Sequence, residues 1–200
     1  MKKSILALSA ALALSFTAPI FSQAEEKLTG TETYIFDKSH TNIMWFADHL
    51  GFSKSMGQFM DYDGEYVLNF DKPEESRINI SIKTASVMTG LPKFDAHLKN
   101  ADFFDVEKYP TADFKSEEII LKGENEAEVK GSFTMLGVTK PLTLMVKFNK
   151  RAMDTYANNI RTGFSVKTKI KRSEFGMNKY VPFVSDEIPL VIETEGLLKK

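Results

Sequence analysis

The sequence predicts an all-β fold of about eight antiparallel strands, an up-and-down barrel or a sandwich, with one helix inserted between the third and fourth strands. Three observations predict it. Apolar side chains recur at every second position through most of the chain, as in strands with one buried face. The alternating runs are joined by short turns, with no internal repeat, low-complexity tract or linker between them. One stretch, residues 89–116, changes period: Leu91, Phe94, Leu98 and Ala101 form a one-sided helical stripe beginning beside Pro92, a residue tolerated in a first helical turn.

Taken in order, Tyr34, Ile35 and Phe36 open the first strand, and residues 40–50 extend it. There Ile43, Trp45, Ala47 and His49 share one face, and Met44, Phe46 and Asp48 the other. Residues 56–70 are long for one strand and carry Asp63-Gly64, which predicts a bulge or bend. Asp71-Lys72-Pro73 is a turn. Ile78, Ile80 and Ile82 then alternate against Arg77, Asn79 and Ser81, a half-buried strand. The helical stripe follows, then Phe103-Phe104 outside any strand pattern, and Tyr109-Pro110 as a stop.

Residues 111–121 return to period two with Ala112 and Phe114 inward, and a glycine-containing turn covers 122–125. Residues 126–135 put Val129, Gly131, Phe133 and Met135 on one face. Leu136-Gly137 reads as a tight turn, and 138–148 pair back with Leu142, Leu144 and Val146 inward. Phe164, Val166 and Ile170 mark a strand over 160–171. Ile188, Leu190 and Ile192 mark the last one over 187–195, where Pro189 predicts an edge or a bulge. A short helix with an aromatic tail, set into a sheet protein, suits the end of a barrel or the gate of a cavity.

Met1-Lys2-Lys3, an apolar run over 5–18 and Ser22-Gln23-Ala24 have the form of a secretory signal peptide covering residues 1–24, too short in its apolar part to span a bilayer comfortably. This predicts export, with a bacterial periplasm as the destination that the Lys/Glu-rich remainder suits. Losing Lys2 and Lys3 would take the formal charge from −1 to −3, so neither nucleic acid nor an acidic membrane surface is expected as the main partner. The remaining residues are enough for one domain, and the absence of cysteine rules out thiol chemistry and cysteine-ligated metals.

Several blocks go beyond pattern. Tyr34-Ile35-Phe36-Asp37 before His40, His49-Leu50-Gly51, Asp95-Ala96-His97-Leu98 and Asp102-Phe103-Phe104-Asp105 occur in that order. Tyr109-Pro110, the run Gly131 to Pro141 and Arg172-Ser173 before Phe175-Gly176 complete the series. Together they resemble the YceI family of periplasmic, lipocalin-like polyisoprenoid-binding proteins. The resemblance implies an extended antiparallel eight-stranded lipocalin-like β-barrel with one inserted α-helix, holding a long apolar chain in its lumen. It implies a carrier of an isoprenoid lipid, a quinone or a polyprenyl phosphate, with no other cofactor, a homodimer as one form, and transient contact with a membrane or a membrane enzyme. It departs from the family at Phe94, where an arginine usually precedes the aspartate of the D-x-H-L block; Lys171 and Arg172 are the candidate substitutes.

A lipid carrier needs a dry tunnel and a few polar groups at its mouth. The expected wall includes Ile43, Trp45, Phe59, Ile80, Phe94, Phe114, Phe133 and Phe164, and the expected polar groups are His49, Asp95, His97 and Arg172. Imidazole can donate to a phosphate or a quinone carbonyl, and it can equally tie a strand end or a helix to the sheet. Rival readings are a carrier of another amphiphile, such as a fatty acid or amide, and an enzyme acting on such a lipid through His49, Asp95 and His97. Against the enzyme, the sequence has no G-x-S-x-G elbow, phosphate-cradling loop or dinucleotide fingerprint, and without HExxH or an H-x-H pair no metal site is expected.

Overall fold

A computed structural model describes residues 28–200; the leader expected over residues 1–24 lies outside the described residues. The strand segments are β1 (Thr31–Phe36), β2 (Asn42–His49), β3 (Ser53–Phe59), β4 (Tyr62–Asn69), β5 (Arg77–Lys83), β6 (Val87–Met88), β7 (Thr111–Leu121), β8 (Glu126–Met135), β9 (Val138–Asp154), β10 (Asn159–Lys171) and β11 (Glu187–Leu198), with helix α1 (Pro92–Lys99) between β6 and β7. Three pairs of segments are halves of single staves. β1 and β2 both pair with β11, through Ile35↔Leu197 and Ile43↔Ile192. β3 runs into β4 with only Met60 and Asp61 between them, and β5 reaches β6 through a 3-10 turn at Thr84–Ser86.

The staves are therefore eight, all antiparallel to their neighbours, and the pairing of β11 with β1 closes the ring. The closed barrel is adopted over the sandwich; closure leaves no long unpaired edge. The wall follows the alternation in the sequence: Ile43, Trp45, Ala112, Phe114, Val129 and Phe133 are all buried on the inner face.

Turn chemistry fixes the register. Leu136 and Gly137 both have positive φ (52° and 74°), which gives the two-residue hairpin between Met135 and Val138. The bend expected at Asp63-Gly64 lies instead at Met60 and Asp61. Gly64 stays in the ladder opposite Ile80, because a side chain there would overlap the Asn79 carbonyl. β9 continues to Asp154, well past the expected end at Phe148. A register shift beside Gly163 and Phe164 breaks the alternation, so Asn149, Lys150 and Arg151 give no period-two signal. Pro189 falls just before β11 picks up β2 at Leu190↔Trp45, where the sheet lacks that neighbour.

The two ends differ. At one, β6 pairs with β3 alone and β7 meets β5 only as far as Lys83↔Thr111. Helix α1 and the turns after it fill this seam. Asp95 holds the helix by accepting from the Thr89 amide (2.7 Å) and the Thr89 hydroxyl (2.6 Å). The helix is only eight residues long, so Leu91 and Ala101 fall outside it. Leu91 is 63% exposed, and the four-residue stripe contracts to Phe94 and Leu98. At the other end, Tyr34 stacks on Tyr66 at 5.3 Å, the Tyr66 and Thr162 hydroxyls are 2.6 Å apart, and Arg151 bridges Glu32 and Tyr34.

A polar cluster on the outer face supplies the pH dependence. Arg161 donates to Asp37, to Glu195 (2.6 Å) and to Asp154 (2.7 Å). Burial raises the Asp37 carboxyl's pKa, but hydrogen bonds from Arg161, His40 and the Ser39 amide outweigh it and hold it at about 2. A carboxyl held lower in the folded than in the unfolded state stabilises fully above its ordinary pKa, and loses that contribution as pH falls towards the folded value. Acid destabilisation is therefore expected below about pH 4 and to be worth about 2 kcal/mol for this group. Urea midpoints of the wild type and Asp37→Asn at neutral and acid pH check it: the variant should start less stable and lose less on acidification.

Candidate functional site

The barrel encloses one long cavity of about 600 Å³. That is within the size range of small-molecule sites, and it sits where an eight-stranded barrel can hold a ligand instead of filling itself. Its wall is overwhelmingly apolar. Ile43, Phe59, Ile80, Phe114, Phe133 and Phe164 all line it, each from an inward position of its stave. Ile80 touches both of the buried clusters into which the core divides.

Trp45 lies across Gly57, where any side chain would overlap the indole, and meets Phe94 edge-to-face at 6.5 Å. Its Nε1 is buried and has no hydrogen-bond partner among the described residues. Phe94 turns its ring to the same lumen and makes this part of the wall apolar.

The polar candidates divide. His49 and His97 both line the cavity at the α1 end. His49 is exposed at the end of β2 and bridges to Val184; His97 lies 3.5 Å from Asp102 and edge-on to Phe103 at 5.0 Å. Asp95 is absent from the wall, because its carboxylate is engaged by Thr89. The expected trio of His49, Asp95 and His97 is not brought together as a relay: Asp95 turns to Thr89 and His97 to Asp102.

Arg172 touches the cavity but is only 3% exposed, and its guanidinium is committed to backbone. Nε donates to the Ser185 carbonyl (2.9 Å), Nη1 to Met177 (2.9 Å) and Lys179 (2.8 Å), and Nη2 to Val184 (3.0 Å). Burial lowers its pKa and the nearby Asp186 carboxylate opposes that. Arg172 is thus the tie that folds the following loop over the barrel end, with four of its five N–H donors spent on that loop's carbonyls. The geometry of that loop is that of a cover over the barrel end, with Phe175 and Met177 buried.

Sequence pattern missed part of this wall. Leu98, Phe103, Phe104, Met177 and Tyr180 close the α1 end of the lumen. Phe103-Phe104 and the apolar loop after Arg172 carried the signal, as apolar residues in excess of what solvated turns need. Around the same mouth stand exposed apolar side chains: Leu50, Phe52 (87% exposed), Leu91, Tyr180 and Phe183.

Asp37, His40 and Glu195 come close enough together to suggest a cation site. The Arg161 guanidinium already bonds two of the three, so the cluster is an ion-pair network on the outside of the barrel.

A model of the YceI-like domain matches residues 34–196. A UPF0312 protein of Pseudomonas putida (strain GB-1) is 38% identical over 169 residues, covering 84% of this chain and 87% of that protein. The crystal structure of the Campylobacter jejuni YceI protein is 32% identical with a TM-score of 0.65, covering 76% of this chain and 90% of that one. A polyisoprenoid-binding domain from Saccharophagus degradans, implicated in plant cell wall breakdown, shares the fold at 12% identity and a TM-score of 0.66, over 83% and 98% of the two chains. With a family model spanning nearly all of the described barrel and a relative of this identity and coverage, the chain belongs to the YceI family.

Proposed function

We propose that this protein is a periplasmic carrier that holds an isoprenoid lipid, a quinone or a polyprenyl phosphate, inside its barrel. The observation that carries this is the lumen itself: a cavity of about 600 Å³ walled by inward aliphatic and aromatic side chains from every stave. Burying a chain methylene there is worth ~0.8 kcal/mol, so a prenyl tail has ample gross binding energy even after its ordering is subtracted. The family, and the polyisoprenoid binding of the Saccharophagus degradans domain that shares the fold, support the lipid class. The same features support binding and not catalysis as the task.

The mouth favours a neutral headgroup. Phe94 is apolar, Arg172 is spent on carbonyls, and Lys179 pairs with Asp102 at 3.3 Å. His49 remains as a donor suited to a carbonyl, as in a quinone, and His97 offers the ring nitrogen that does not face Asp102. The exposed ring of Phe52, Leu91 and Phe183 around that mouth is the surface by which the carrier would meet a bilayer to load.

Native mass spectrometry of the protein from its own compartment, followed by extraction of what is bound, tests the proposal. A mass ladder of isoprene units is expected. A straight-chain amphiphile would keep the carrier and change its cargo, and a protein that arrives empty and takes up no prenyl lipid would sink the idea. Trp45 is the only tryptophan and lies on the lumen wall, so a prenyl quinone should quench its emission saturably at one equivalent. Emission that stays unchanged while the quinone is retained would place the ligand elsewhere.

A further inference from the structure

We infer that the tunnel has a second opening, at the end opposite α1, through which the tail of a chain longer than the barrel emerges. This rests on the carrier reading and extends its ligands to prenyl chains that the lumen cannot contain. The cavity that begins at Phe94 and His97 also runs against Phe70, Pro73, Leu121 and Phe148 at the other end. Leu121 lines it and is nonetheless 49% exposed, and Pro73 is exposed as well. An apolar side chain that is at once lumen wall and outer surface marks where the cavity meets solvent.

Among the described residues, only half of this end is sealed. The Tyr34–Tyr66 stack and the Arg151–Glu32 pair cross it beneath β1, β9 and β10. The other half lies between the 3-10 turn at Pro73–Glu75 and the turn joining β7 to β8. Its rim is held by backbone. Phe148 donates to the Asn125 carbonyl (2.8 Å), Lys122 to Glu126 (2.8 Å), and the Asn69 side chain accepts from the Lys72 amide (2.9 Å). The gap is therefore a fixed part of the wall, framed by three ladder or turn bonds.

Length gives it a use. From Ala112 to Leu121 β7 advances ~30 Å along the strand, which at the ordinary tilt of barrel strands is about 20–25 Å along the axis. A prenyl chain longer than that has either to fold back in a lumen crowded by eight staves or to leave by the far end.

The test uses the mature chain and two benzoquinones that share a headgroup, one with a farnesyl and one with a decaprenyl tail. Ala127 lines the lumen beside this opening, opposite Leu121, so Ala127→Trp plugs it. The plug should leave the farnesyl probe within about twofold of wild type and weaken the decaprenyl probe about tenfold or more. Equal effects on both probes, or none on either, would overturn the opening while leaving the carrier intact. A wild type that binds neither probe removes the carrier and the opening together. A decaprenyl quinone with a terminal azide gives a check that needs no variant. Bound to the wild type, the azide should still react with a water-soluble alkyne, and full protection would mean that the tail is enclosed.

Discussion

Ile80→Trp should weaken lipid binding about a hundredfold and leave the barrel as stable as before, or more so. In a filled core the change from isoleucine to tryptophan overpacks the site and costs about 1–3 kcal/mol or more. Here the side chain projects into a lumen of about 600 Å³ at the point where the two buried clusters meet. The indole then occupies space that held solvent or ligand, and it gains apolar contacts at ~25 cal/mol per Å² of area removed from water. The ligand loses its path through the middle of the tunnel, so its affinity should fall by about a hundredfold, near 3 kcal/mol. Thermal denaturation and titration with a prenyl quinone separate the cases. A large loss of stability would mean that the space around Ile80 is a packed interior.

Arg172→Met should have the opposite signature: a large loss of order at one end, with the ladder of the barrel intact. The guanidinium satisfies four carbonyls of one loop, from Met177 to Ser185, while itself nearly inaccessible. Methionine matches its stem and leaves those carbonyls to find water, which requires the loop to lift. Breaking a buried, charge-assisted set of this kind costs about 3–5 kcal/mol. The loss should fall on residues 176–186, read as hydrogen exchange that becomes fast there and stays slow in β7, β8 and β9. Arg172→Lys should recover little, since one ammonium cannot reach four carbonyls spread along the loop. Uniform acceleration throughout the barrel would show that the loop and the staves unfold as one unit.

The difference between those two residues also shows what the sequence could and could not reveal. Ile80 was legible, because a residue alternating with Asn79 and Ser81 can only face a core. The same held for Ile43, Phe114 and Phe133, and for the turn at Leu136-Gly137. Closure was not legible: it depends on Ile35↔Leu197, a pairing across almost the whole chain with no local trace. The role of Arg172 was hidden for a similar reason. A basic residue after a strand reads as exposed and available for an anion, and only the loop wrapped around it shows that its donors are used internally. Asp95 beside His97 suggested a shared task, whereas helical geometry turns the carboxylate back to Thr89. Arg151 was obscured by the register shift that interrupts the alternation in β9 and β10.

The seam beside α1 has a thermodynamic consequence for how fast cargo can exchange. Along most of its length the wall is stitched by inter-strand hydrogen bonds, and parting it there would mean losing a row of them together. Between β6 and β7 the closure consists of Phe94, Leu98 and their aromatic neighbours, anchored through Thr89 and Asp95. Displacing the helix exposes a few apolar side chains, each worth about 1.5–3 kcal/mol, and sacrifices no ladder bond. Exchange and unfolding should thereby be decoupled, with the residence time of a bound lipid following side-chain burial at this helix and the lifetime of the fold following the ladder around it. Trimming Phe94 should shorten the first without shortening the second.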